Sequence, residues 1–246
     1  MGVIVFKGMR VGVLPGDLSI GFDESGELNS NLILSTAYNV LPVWLRVASD
    51  QLKEAKAASD AISSNWGEDE IEQKEMLVRE LEPSLLVFVA CGIALDAVYD
   101  LLRPYAAIDD DTRAAWKRKR TSRPTRMKEV FRRVYRLDKE TTKNFGLALD
   151  NIIKLRDRAV HPTLALERTC DRPDIPVGVD WKFSAYRYSN GRVCFENTMN
   201  MVIYLYERRS MHSELNDQME SVVEALIELG IVTRRSADAA SAGSDA

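Results

Sequence analysis

Cysteine and histidine are the scarce residues of this chain. Its three cysteines, Cys91, Cys170 and Cys194, are odd in number and far apart, with no C-x-x-C spacing, which argues against a disulfide framework or a structural zinc site. A reducing cytoplasm is the expected environment. Long apolar runs are also missing: the longest, from Leu85 to Leu95, is about half a membrane span, and no charged start followed by a long apolar core opens the chain. No membrane partner is expected. There is no P-loop, G-x-G-x-x-G or H-E-x-x-H, and no repeat with a period of about 20 to 50 residues. The expected cofactor and metal content is therefore none.

What is present is a globular chain of 246 residues, 46% apolar, enough for one large core or a core with additions. Its most apolar stretch, Leu85–Leu102, is hydrophobic almost all round and predicts the central, most buried helix, opening in the acidic stretch Glu68–Glu70 and bending at Pro83. Asp96 and Asp100 are the only charges in Leu85–Leu102, and a buried aspartate needs a partner. An earlier helical zone runs to about Ser64, with Pro42 either kinking a helix or opening a second one. A last zone, Thr198 to Leu229, closes the bundle, and Gly230 stops it.

The stretch 138–162, DKETTKNFGLALDNIIKLRDRAVHP, organises the rest. Phe145, Leu149, Ile152, Ile153, Ala159 and Val160 recur every three or four residues, which predicts one helix with an apolar stripe. At about 100° per residue, Arg156 falls at the centre of that stripe. An arginine there requires an anionic partner, either a carboxylate or a phosphate. Asp96 is the first candidate and Asp100 the second. Pro162 disfavours helix at the residue before it, so His161 ends the helix, and Asp157, four residues earlier, is near enough to orient its ring or raise its pKa. In the plainer alternative, His161 favours the negative helix end and Arg156 makes a structural salt bridge.

Arg156-Asp157-Arg158-Ala159-Val160-His161 resembles the R-[NDH]-x-x-x-H signature of the HEPN superfamily. The resemblance implies a mainly α, HEPN-like helical bundle that dimerises so that two motifs face each other and cut RNA without a metal. It implies that Arg156 holds the scissile phosphate, that His161 handles the proton of the 2′-hydroxyl or of the leaving oxygen, and that Asp157 fills the variable polar position. Asp96 would be the acidic residue that such enzymes often carry on another helix. A neutralising antitoxin protein and a role in toxin–antitoxin regulation or antiviral defence enter through the resemblance alone. The alternative is a non-catalytic module of the same fold that binds a nucleotide, RNA or a protein. A purely structural helical dimer whose basic segment binds an acidic protein is a third reading.

Charge is distributed unevenly. Thr112–Arg136 holds eleven Lys or Arg against one acid, Glu129; since the chain totals −4, the remainder carries −14. Such a patch attracts a phosphate backbone without reading sequence. Arg113, Lys117, Arg118, Lys119, Arg120, Arg123 and Arg126 are the expected RNA contacts, with Lys117–Arg120 in a loop and a helix restarting at Pro124 with Met127, Val130, Phe131 and Val134 inward.

Two stretches predict β-structure. Residues 1–28 read as one or two short strands and a turn, and Asn190-Gly191 between alternating runs predicts a hairpin at about 177–196, which packs or stacks on RNA through Tyr186, Arg187, Tyr188 and Arg192. The expected organisation is thus a strand-and-turn segment (1–28), a helical bundle carrying a small β-hairpin or sheet appendage (29–230), and a disordered tail (231–246). His212, with no carboxylate or cysteine set around it, is expected on the surface.

Overall fold

The computed structural model describes residues 4–6, 9–22, 25–161 and 165–233. The chain divides into two compact units, residues 1–40 and 41–246. The first is β. Strand β1 (Met9–Gly12) pairs antiparallel with β4 (Ser35–Tyr38), and inside that pair β2 (Leu18–Phe22) pairs with β3 (Leu28–Leu32). Between β1 and β2 the chain turns on Gly16, in the left-handed region at φ 93°, and the Asp17 carboxylate accepts from Leu14 N–H at 3.1 Å and Ser35 Oγ at 3.3 Å. The strands therefore extend past the expected boundary at residue 28. Residues 28–38 alternate too briefly to exclude a helical period, and the helices begin only at Leu41, with Pro42 in the first turn, where its missing N–H costs nothing.

The second unit is a helical bundle: α1 (Leu41–Asn65), α2 (Glu70–Leu102), a 3-10 turn over Arg103–Tyr105, α3 (Asp110–Arg118), α4 (Arg123–Tyr135), α5 (Lys139–Val160), α6 (Trp181–Ala185), α7 (Tyr188–Arg208) and α8 (Ser213–Glu228). The mainly α fold with a small sheet appendage follows. Five starts carry side-chain caps that satisfy otherwise orphaned amides: Asp69 for α2, Asp109 for α3, Ser122 for α4, Asp138 for α5 and Asp180 for α6. Helix α2 is the central one, packed by α1, α4, α5 and α7, and it runs without interruption through Pro83. By length and composition it would pass as a membrane span, but just over half of its most apolar window is buried inside the bundle. Val87, Phe88, Cys91, Leu95, Val98 and Leu102 form its core face against Met127, Phe131, Leu149 and Ile153. The inward set expected for α4, Met127, Val130, Phe131 and Val134, is buried.

The hairpin expected at 177–196 is not there. Residues 181–185 and 188–208 are helical, and Asn190-Gly191 lies in the first turn of α7. The reason is a period that extends upstream: Gly191, Cys194, Thr198, Met201, Val202 and Leu205 are buried at helical spacing, which outweighs the local turn preference. The Asn190 amide donates to the carbonyls of Ser184 and Ala185, tying α6 to α7. Tyr186 is buried edge-on against Phe88 at 5.4 Å, so it packs rather than presenting a stacking face. Lys117 and Arg118, expected in a loop, finish α3, because Asp109 caps a short helix whose last turn favours positive charge. Of the expected tail, Ile231 and Val232 pack against the core, and residues 234–246 lie outside the described residues.

A buried ionic clamp fastens the segment after α5 to the bundle. Arg172 and Glu80 are almost wholly buried, with Nη2 and Oε2 2.5 Å apart in a charge contact rather than an aligned hydrogen bond. Arg172 also donates to Asp174 at 2.9 and 2.7 Å and to Phe183 O at 3.1 Å, and Glu80 Oε1 accepts from Tyr188 N–H at 2.9 Å. Arg172→Ala strands a buried carboxylate and is expected to destabilise the fold by about 3–5 kcal/mol in urea unfolding. The Arg172 hydrogen bonds hold the Asp174 carboxyl below its ordinary 3.8. A depressed carboxylate stabilises the fold above that pH and loses its contribution as pH falls through the folded value, so wild type should lose stability below about pH 3.8 more steeply than Arg172→Ala.

Candidate functional site

Helix α5 carries Arg156 to the surface of α2. Gly92 makes the crossing possible: a Cβ there would lie 2.6 Å from Arg156 Cγ and 3.0 Å from its Cβ, so no larger residue leaves room for the arginine's stem. One turn further along the same face of α2, Asp96 Oδ2 accepts from Arg156 Nη1 at 3.2 Å. The other oxygen, Oδ1, accepts from Arg123 Nε at 2.7 Å. Arg123 reaches from the start of α4, with its guanidinium 4.1 Å above the Tyr99 ring and Nη2 3.9 Å from Asp100. Asp96 is therefore the shared acceptor of two arginines from two helices.

Arg156 keeps 18% of its side chain exposed. Its Nε lies 2.8 Å from Asp157 Oδ1, near enough for an ion pair but at an angle that makes no hydrogen bond. The expected role of Asp157 is changed accordingly: its carboxylate faces Arg156, and no hydrogen bond joins it to the His161 ring. His161 is the C-terminal cap of α5, with its backbone N–H bonded to Asp157 O at 2.9 Å and its side chain exposed. The arginine thus faces α2 while the imidazole projects from the helix end. Arg158, the third charged residue of this turn, pairs with Glu167 at 2.9 Å and stacks on Trp181 at 3.6 Å. Tyr186 Oη donates to Leu155 O at 2.8 Å. Trp181 of α6 and Tyr186, which caps it, therefore brace the end of α5.

The expected RNA contacts separate into two groups. Arg123 is engaged with Asp96, and Arg113 pairs with Asp110 at 3.4 Å on the surface of α3. Lys117, Arg118, Lys119 and Arg120 are exposed and form no ion pair among the described residues; Arg120 takes a left-handed conformation at φ 49°. Arg126 is half-buried, with Nε lacking a hydrogen-bond partner. Asp100, the second candidate partner of Arg156, meets Arg123 and no other cation among the described residues. Two site residues escape motif reading. Gly92 is marked only by its position one turn before Asp96, and Tyr186 only by being a tyrosine that must satisfy its hydroxyl when buried.

No model of a known protein family, no curated protein and no solved structure matches the chain. The function is therefore argued from the site alone.

The crossing at Gly92 is tight enough to test. Gly92→Ala forces the Arg156 stem aside, and such overpacking is expected to cost about 1–3 kcal/mol. Urea unfolding checks the loss, and a stability equal to wild type would show that Arg156 does not cross α2 at this point.

Proposed function

We propose that this chain is a metal-independent endoribonuclease of the HEPN type that works in the cytoplasm as a homodimer. The observation that supports it is a guanidinium and an exposed imidazole on the same end of α5, with the guanidinium oriented by an aspartate from α2. RNA supplies its own nucleophile, so the protein need provide only charge stabilisation and proton transfer. The 2′-oxygen attacks the adjacent phosphorus and the P–O5′ bond breaks. A 2′,3′-cyclic phosphate and a 5′-hydroxyl result. His161 takes the proton from the 2′-hydroxyl or returns one to the 5′-oxygen, and a second copy across a two-fold axis would supply the other of these roles. Arg156 meets the non-bridging oxygens through the nitrogens that Asp96 leaves available. Asp96 acts through Arg156 and is a positioning residue. A setting in toxin–antitoxin regulation or antiviral defence, opposed by a neutralising partner, goes with this reading.

The dimer is supported by the β unit. Leu18, Ile20 and Phe22 share one face of the β2–β3 pair with Leu28 and Leu32, while Ser19, Asn29 and Asn31 take the other. Such alternation belongs to a half-buried sheet, yet in the single chain Ile20 is 66% and Phe22 76% exposed. A second copy is the cover we assign to it. Ile20→Lys combined with Phe22→Lys is expected to shift the protein from dimer to monomer in light scattering; a wild-type monomer, or a variant that stays dimeric, refutes this assignment.

A second reading, binding without turnover, is favoured by one observation: Arg156 is already committed to Asp96 and Asp157. The two separate cleanly. Incubation of wild type with total RNA and EDTA should yield fragments ending in a cyclic phosphate, and His161→Ala should lower the rate by about 10² to 10⁴ without changing the thermal midpoint, since the side chain is exposed. Unaltered cleavage in that variant, or a strict need for a divalent ion, defeats the nuclease reading, and RNA binding without cleavage establishes the second.

A further inference from the structure

Helix α4 enters the Asp96 cluster with its first residue, Arg123, and its last turn forms something different. Arg132, Arg133 and Arg136 line an open recess of about 540 Å³, closed on the other side by Tyr105 and the backbone of Ala106–Ala107. Thirteen residues separate Arg123 from Arg136, roughly 20 Å along a helix, so this recess is distinct from the Arg156 centre.

Three features mark it as built. The first is preorganised charge. Glu129 Oε1 and Oε2 accept from Arg132 at 2.7 and 2.9 Å, and Oε1 also accepts from Arg133 at 2.7 Å. Hydrogen bonds from Arg132 above all hold the Glu129 carboxyl at about 2, so it stays charged and keeps both guanidiniums in place. Arg133 spends a further N–H on Ala107 O at 3.1 Å. Three guanidiniums against one carboxylate leave a positive excess, and Arg136 has no ion pair among the described residues. The second is backbone strain. Ala107 at φ 45° and Arg136 at φ 50° are two of the four described non-glycine residues in the left-handed region, and both line this recess. The usual residue at such a helix end is glycine, so an arginine there is held at a conformational cost. The third is the half-buried Tyr105 ring, backed by His212 at 5.0 Å between centroids.

We infer that this recess is a second binding site, for a phosphorylated nucleotide, with Arg132, Arg133 and Arg136 on the phosphates and Tyr105 against the base. Its volume lies within the range of small-ligand sites, about 300–1,000 Å³, and arginine is the side chain whose planar fork matches phosphate oxygens two at a time. The nucleotide is either free or one unit of an RNA strand, and the chemistry that holds it is the same. The inference does not rest on the cleavage proposed above.

The test is titration of the full chain with ADP and, separately, with a 2′-O-methyl oligonucleotide of about eight units. The oligonucleotide lacks the 2′-hydroxyl and survives whatever the Arg156 centre does. Wild type should bind at least one of the two, and Arg132→Gln with Arg136→Gln should weaken that binding about tenfold or more. Lys139→Gln with Lys143→Gln, on a neighbouring recess of about 290 Å³ lined by lysines, should bind as wild type does. Arg136→Gly, which relieves the left-handed strain and so guards against loss by misfolding, should keep or raise its thermal midpoint and still lose affinity. A loss that includes ADP identifies a free nucleotide; a loss confined to the oligonucleotide identifies a strand. The inference is overturned if wild type binds neither probe below about 1 mM, if the arginine variants bind as wild type does, or if the lysine variant loses as much.

Discussion

Asp96 is the constraint around which the charged half of the bundle is arranged. It sits on the apolar half of α2, Leu85–Leu102, where Asp100 is the only other charge, and a carboxylate there is tolerable only if both oxygens are satisfied. Two helices supply that satisfaction, α5 through Arg156 and α4 through Arg123. The dependence runs both ways, since without the aspartate Arg156 would keep only its contact with Asp157 and Arg123 only the longer one with Asp100. Three helices that pack by non-directional apolar contacts thereby acquire one register, specified by hydrogen-bond geometry, and Gly92 allows them to come close enough to use it.

A second ionic cluster does the same for the far end of the chain. Glu80, one helical half-length before Asp96, holds Arg172 and the amide of Tyr188, so the described residues from 165 to 187 are fixed to α2 although they contain little regular structure. Helix α6 then lies beside the end of α5, where Trp181 and Tyr186 brace it. Helix α2 thus carries two anchoring carboxylates, Glu80 and Asp96, and the C-terminal turn of α5 is held by Asp96 through Arg156 and by Trp181 and Tyr186. His161 extends beyond that brace, a combination that leaves the arginine rigid and the imidazole open.

Where local periodicity agreed with burial, the fold was legible in the sequence. The organising helix, the inward face of α4 and the central position of α2 all follow from residues recurring at three and four. Asp96 as the partner of Arg156 was legible for a related reason: an isolated charge on a buried helix has few possible solutions. The failures have particular causes. Asn190-Gly191 has a strong turn preference, but six small or apolar residues from Gly191 to Leu205 offered a longer buried stripe, and tertiary packing prevailed. Strands β3 and β4 were hidden because LNSNL and STAY alternate over too few residues to distinguish strand from helix. Asp157 faces Arg156 because i to i+4 spacing admits a contact with His161 without excluding a nearer cation.

The basic segment shows why a count of charges differs from a charged surface. Arg113, Arg123, Arg132 and Arg133 are each matched by a carboxylate, Asp110, Asp96 or Glu129, so part of the apparent excess is internal cement. Of the cations without an ion pair among the described residues, Arg126 and Lys128 are half-buried on α4, and the rest fall into two places, the exposed Lys117–Arg120 at the end of α3 and Arg136 at the end of α4. These differ in kind. Lys117–Arg120 are long side chains in solvent, which attract a polyanion at a distance and are screened by salt. Arg136 stands beside two arginines already fixed by Glu129, in a concave site, where a bound phosphate would find donors that need little further ordering. The first arrangement suits capture and the second suits recognition.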